Sequence, residues 1–98
     1  MAKYFLANKA VDDLSDIWNY TYNVWSEQQA DNYYQRLIDC CGYISENPGL
    51  GKCYDEIDTG ILGYKAKQHI IFYRVAQQNI EILRILHGRM DLKNRMQD

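Results

Sequence analysis

Little in this chain interrupts it. One proline and six glycines serve 98 residues, and no stretch is rich enough in Gly, Ser or Pro to read as a linker or low-complexity tract. No internal repeat is present. The longest apolar run is only a few residues, far short of the roughly 20 that cross a bilayer. Residues 1–9 lack the long apolar segment of a secretory signal. Cysteine is sparse and badly spaced for metal or disulfide work: Cys40 and Cys41 are adjacent and Cys53 stands alone. With an odd count and no C-x-x-C pair, neither a disulfide framework nor a zinc site follows, and reduced thiols in a cytoplasmic protein are expected. No glycine-rich phosphate loop, nucleophile elbow or pair of catalytic carboxylates on one helix appears. The expectation is a protein with no cofactor, no metal, no small-molecule substrate and no membrane anchor.

What is present is unevenly distributed. Residues 1–60 hold four Lys/Arg and ten Asp/Glu, a net −6; residues 61–98 hold seven and three, a net +4; the total is −2. A protein that lives on phosphate contacts carries a strong positive balance, so a general nucleic-acid binder is disfavoured. The basic C-terminal part suits an acidic partner. An apolar fraction of 47%, with nine Tyr and two Trp, supports one folded domain over residues 1–98.

Periodicity divides the chain. Residues 3–7 are β-prone. Asn8 is a candidate N-cap, with Asp12 and Asp13 in the first helical turn. Val11, Leu14, Ile17, Trp18, Val24 and Trp25 recur at helical spacing, which predicts an amphipathic helix with both tryptophans packed in the core. Ser26 with Gln29 fits a capping box for a second helix, whose buried face runs Ala30, Tyr33, Tyr34, Leu37, Ile38, Cys41 and Ile44. Asn47-Pro48-Gly49 stops it. The two helices form an αα-hairpin. Residues 48–60 read as an exposed loop and 61–67 as a strand. A tight turn at Gln68-His69 precedes a strand from Ile70 to Val75. After the turn at Ala76–Asn79 comes a last strand from Ile80 to about His87, apolar enough to be covered on both faces. Residues 90–96 fit either a short terminal helix or a frayed end. The order β-α-α-β-β-β describes an α+β two-layer fold, a helical hairpin on one face of a small, mainly antiparallel four-stranded sheet.

Several of these segments, in this order, resemble the ParE branch of the RelE/ParE toxin superfamily. They are Ala10–Trp18 with Tyr20 and Trp25, Gln29-Ala30 with Tyr33, Asn47–Gly51, Gly63-Tyr64, His69–Val75 and Ile80–Asp91. The joining of an Asp-Leu-x-x-Ile-Trp helix to late Phe-Tyr-Arg-Val and Leu-His-Gly-Arg-Met-Asp segments is the specific part. The resemblance implies the toxin of a type II toxin–antitoxin pair. Its target would be DNA gyrase, trapped non-covalently on cleaved DNA. Its partner would be a ParD-like ribbon-helix-helix antitoxin, through which alone it would reach operator DNA. Two alternatives stay open: a ribosome-dependent mRNA endoribonuclease of the RelE type, and a non-toxic corepressor of its antitoxin.

The residues bear on that choice. Phosphodiester cleavage needs a general base, a general acid and cations for the developing charge. His87 ends the last strand, where relatives with nuclease activity keep catalytic groups, but Gly88 follows where an aromatic hydroxyl would be expected, and Ile70 stands where some nucleases carry Arg. Arg84, inside an apolar strand, is expected to pair with Glu81 or an aspartate of the helical hairpin. No catalytic residue is assigned. Target binding is assigned to His87, Arg89, Met90, Lys93 and Arg95, a cationic C-terminal surface. Antitoxin binding is assigned to Asp16, Tyr20, Asp31 and Tyr64, with Tyr22 and Asp39 as neighbours in charge and aromatic character, either on part of the sheet's other face or in a groove beside the helical hairpin.

Overall fold

In the computed structural model, residues 3–77 and 79–88 are described. A first strand, β1 (Lys3–Leu6), leads into helix α1 (Asn8–Val24) and helix α2 (Glu27–Glu46). A 3-10 turn (Pro48–Leu50) and a two-residue strand β2 (Lys52–Cys53) follow, then β3 (Leu62–Ala66), β4 (His69–Ala76) and β5 (Asn79–His87). The sheet order is β1-β5-β4-β3-β2. Only β1 and β5 run parallel; the other neighbours are antiparallel. The expected two-layer α+β architecture is therefore present, with β2 as a fifth strand at the edge of what reads in sequence as loop.

The start of α1 differs from expectation for a visible reason. The Ala7 amide donates to Ile82 O at 2.9 Å, continuing the β1–β5 pairing. That bond holds Ala7 extended, so Ala7 is the N-cap and Asn8 is already helical. Asp12 and Asp13 consequently fall beyond the first turn, which contains no acid, and the helix dipole does not explain them. Ser26 does cap α2, its Oγ accepting from the Gln29 amide at 3.1 Å. At the far end Asn47 closes α2 and Pro48 opens the 3-10 turn, where its missing N–H costs nothing.

The core lies between the helices and the sheet. Ala10 and Leu14 from α1, Leu37, Cys41 and Ile44 from α2, and Ile71, Tyr73, Ile80, Ile82 and Ile85 from β4 and β5 form one buried cluster. Each large aliphatic side chain buried there contributes about 1.5–3 kcal/mol. Ile82 and Ile85 are three residues apart yet reach the same cluster. A bulge permits it: Phe72 faces Arg84 while Tyr73 faces Ile82, so Leu83 is the extra residue. The opposite face carries a second cluster of Ile61, Ile70, Phe72 and Leu86, with Tyr54, Ile57 and Leu83 packed on it. Strand β5 is thus covered on both faces, as its composition predicts.

The segment expected as plain exposed loop covers that second face. Tyr54 packs edge-on to Phe72, ring centroids 5.2 Å apart, and a Cβ on Gly63 would stand 2.6 Å from the Tyr54 ring, so only glycine fits. On the helix side the Tyr73 hydroxyl donates to Pro48 O and accepts from the Gly51 amide, both at 2.8 Å. A Cβ on Gly51 would overlap that ring. The phenol is held above its ordinary pKa, mainly by burial. The turn expected at Gln68-His69 is Lys67-Gln68, with His69 the first residue of β4.

Candidate functional site

Two polar clusters lie along the line where α1 faces the end of β5. The first is closed. Arg84 donates from Nε to Asp13 Oδ2 at 2.8 Å and from a terminal nitrogen to Asp13 Oδ1 at 2.9 Å. Both residues are buried. The Ile85 amide also donates to Asp13 Oδ2 at 2.9 Å. Pairing with β1 has ended at Ile82, and Asp13 meets this later backbone donor of β5. A fork-to-fork pair with an added amide is the geometry in which a buried charge is tolerated. Of the two partners expected for Arg84, Glu81 or an aspartate of the helical hairpin, it is an aspartate, Asp13, that forms the ion pair.

The second cluster borders open space. A groove of about 660 Å³ runs between the helical hairpin and the β3–β4 turn. Asp16, Ile17, Tyr20 and Thr21 of α1 form one wall, continued by Trp25, Gln29 and Tyr33 around the start of α2. Lys67, Gln68, His69 and His87 form the other. Tyr20 and Trp25 are each 67% exposed, large aromatic surface with little protein against it.

The floor is more ordered than the rim. His69 and His87 are cross-strand partners, their rings edge-to-face with centroids 5.3 Å apart. Tyr33 Oη lies 2.6 Å from His69 Nδ1. Burial, reinforced by the neighbouring His87 and only partly opposed by Asp13, lowers the His69 pKa to about 4. The ring is therefore neutral near pH 7. Tyr33, whose phenol is raised by burial against an opposing hydrogen bond from the Gln68 backbone, then donates its proton to Nδ1, leaving the ring proton on Nε2. A neutral imidazole with its acceptor nitrogen occupied offers a single N–H. The groove suits recognition by apolar contact and a few hydrogen bonds.

Of the residues singled out from sequence, Asp16, Tyr20 and His87 come together here. Asp31 does not: it accepts from Trp18 Nε1 at 2.9 Å across the two helices. Tyr22 stacks on Trp18 at 5.2 Å. Asp39 accepts from Gln35 at 2.9 Å. Tyr64 packs, half-buried, against the helix-side core. Arg89, Met90, Lys93 and Arg95, and the terminal helix or frayed end expected at 90–96, lie outside the described residues. Trp25 is a correction: it follows the buried period yet stands exposed at the groove, while Trp18 is half-buried. Cys41 is the buried thiol expected, its pKa pushed up to about 12 by burial, but Cys53 is exposed.

Sequence reasoning missed His69, Tyr33 and Lys67. A signal existed for the first. The chain has two histidines, and counting back from Ala76 opposite Asn79 sets His69 opposite Leu86; one bulge residue moves the partner to His87. The model of a family described as "ParE toxin of type II toxin-antitoxin system, parDE" matches residues 4–92. The chain belongs to the ParE toxin family.

Relatives agree along nearly the whole length. Toxin ParE1 of Mycobacterium tuberculosis (strain ATCC 25618 / H37Rv) is 36% identical over 92 residues, covering 93% of this chain and 94% of the relative. Toxin ParE1 of Caulobacter vibrioides is 34% identical over 93 residues, covering 95% and 96%. Among solved structures, a chain of the chromosomal ParDE system from P. aeruginosa superposes with a TM-score of 0.77 at 19% identity, covering 89% of this chain and 95% of that one. A chain of the RelBE2 toxin-antitoxin complex of Mycobacterium tuberculosis gives 0.69 at 17%, covering 88% and 96%. At those identities the structures speak to fold, which is the α+β fold of RelE/ParE-type toxins. As a ParE-type member, the chain is a toxin of a type II toxin–antitoxin system. Among the described residues no helix is long and apolar enough to cross a membrane.

Proposed function

We propose that this toxin, one domain over residues 1–98, acts in the cytoplasm by binding DNA gyrase without covalent chemistry and holding it on cleaved DNA. A ParD-like ribbon-helix-helix antitoxin neutralises it by covering the groove. The observation that carries the reading is the groove itself, where His87, expected to meet the target, stands with Asp16 and Tyr20, expected to meet the antitoxin. One apolar, aromatic surface serves both partners, so one excludes the other. Free energy for the trap comes from preferring one gyrase–DNA conformation, because a ligand shifts an equilibrium only by its differential affinity. The polar groups support binding over turnover. Arg84 is committed to Asp13 inside the protein, and His69 is neutral and engaged by Tyr33. Neither is poised to stabilise a phosphorane or to shuttle a proton.

The test uses purified toxin in two reactions. With gyrase, ATP and relaxed plasmid, linear DNA should accumulate, and His87→Ala should reduce it several-fold. With ribosomes and messenger RNA, transcripts should remain intact. Transcript cleavage without linear DNA would establish the endoribonuclease alternative; inactivity in both with intact antitoxin binding would establish the corepressor.

A further inference from the structure

Most of the groove's surface is apolar, and each wall carries one charge of opposite sign. Asp16 projects from α1 and Lys67 from the β3–β4 turn. Among the described residues neither has an ion-pair partner; the pairs formed are Arg84–Asp13 and Arg74–Asp58. Lys67 has a second peculiarity. Its backbone lies at φ 60, a conformation that glycine or asparagine adopts more cheaply than lysine. On the same wall as Asp16, Ile17, Tyr20 and Trp25 offer apolar contact.

We propose that the groove selects its occupant by charge: a partner segment seats apolar side chains against Tyr20 and Trp25, pairs an acidic residue with Lys67 and pairs a basic residue with Asp16. This rests on the reading that the groove is the antitoxin's docking site, and it names the chemistry by which a cognate antitoxin is told from others. Apolar burial gives affinity to any amphipathic segment; a like charge facing either wall gives rejection. His69 adds no competing positive charge near neutral pH, because burial keeps its ring neutral.

Three synthetic peptides test this, sharing one leucine-bearing apolar stretch and flanked by one Glu and one Lys, by two Glu, or by two Lys. Wild-type toxin should bind the mixed peptide about ten-fold more tightly than either other at low salt, with the margin shrinking as salt rises. Lys67→Glu should shift the preference to the two-Lys peptide, and Asp16→Lys to the two-Glu peptide. Tyr20→Ala should weaken all three alike. Circular dichroism of each variant shows that it is folded. The same rank order in wild type and both charge variants overturns the proposal. So does concentration-dependent self-association abolished by Lys67→Glu, which would give the groove to a second copy. The underlying reading fails separately, if full-length antitoxin binds Tyr20→Ala unchanged and does not displace the mixed peptide.

Discussion

Arg84 and His87 stand three residues apart on β5, and Asp13 and Asp16 one turn apart on α1, yet the two ends of this seam differ in kind. At the Asp13–Arg84 end every described polar contact is made within the protein and both side chains are buried. At the His69–His87 end a half-buried floor opens onto exposed aromatics and two opposed charges. The same helix crossing the same strand therefore yields a structural bolt and, a turn further, an open groove. The difference lies in how far the opposite wall reaches. Where the strand lies against the helix, a charge must be matched; where the β3–β4 turn faces α1, aromatic and charged surface is left open.

The sharpest way to break the contrast is to open the closed end. Asp13→Ala leaves the Arg84 guanidinium buried without its carboxylate and the Ile85 amide without an acceptor. The expected loss is about 3–5 kcal/mol, read as a drop in the urea midpoint. Replacing both partners at once, Asp13→Leu with Arg84→Met, should recover much of that loss, since the buried charge is removed together with its carboxylate. If the single variant costs under about 1 kcal/mol, the pair behaves like a surface ion pair and the two ends are not different.

Acid should act on the open end. The His69 pKa is about 4 in the folded protein, against roughly 6.5 in an unfolded chain. As pH falls, the unfolded chain takes up this proton first. The contribution is whole above about pH 6.5 and is lost progressively toward pH 4. Because water still reaches part of the ring, the loss is on the order of 1–2 kcal/mol rather than the full shift. Denaturant melts of wild type and His69→Asn at pH 7.5 and 4.5 measure it: the variant should lose less on acidification. Tyr33→Phe comes next, at about 1 kcal/mol, because it removes the donor to His69 Nδ1.

The order of these effects follows what could be read from residues alone. Arg84 in an apolar strand had to be matched, so a partner in Glu81 or a hairpin aspartate was legible; which of these, and which aspartate, was not. Asp13 reads as a helix-dipole residue until the Ala7–Ile82 hydrogen bond fixes where α1 begins. The α+β order was legible from two helical periods followed by β-branched runs, but a two-residue strand such as β2 has no period to detect. The Leu83 bulge changes the face of everything after it, and a strict alternation cannot announce it. A groove beside the hairpin was one of two places expected for the antitoxin; of the four residues assigned to it Asp16 and Tyr20 line the groove, and His87 joins them from the surface expected to meet the target. Its floor was not legible, because His69 and Tyr33 meet only through tertiary packing 36 residues apart in sequence.

Trp25 shows why the rim was the hardest part, and it carries the prediction with the smallest effect on stability. Helical periodicity places Trp25 on the same side of α1 as Leu14, and from that it reads as core. Periodicity specifies direction and says nothing of whether another layer lies there. At the end of α1 none does, and the indole is 67% exposed. Trp25→Ser should therefore change folding stability by no more than about 0.5 kcal/mol, where Leu14→Ala, on the same stripe but 2% exposed, should cost about 2–5 kcal/mol. The same serine variant should bind antitoxin at least ten-fold more weakly, because a large aromatic at the edge of a groove is the kind of residue that dominates an interface. Stability unchanged with binding lost would set Trp25 with the open end of the seam; stability lost in step with Leu14→Ala would return it to the core that its spacing suggests.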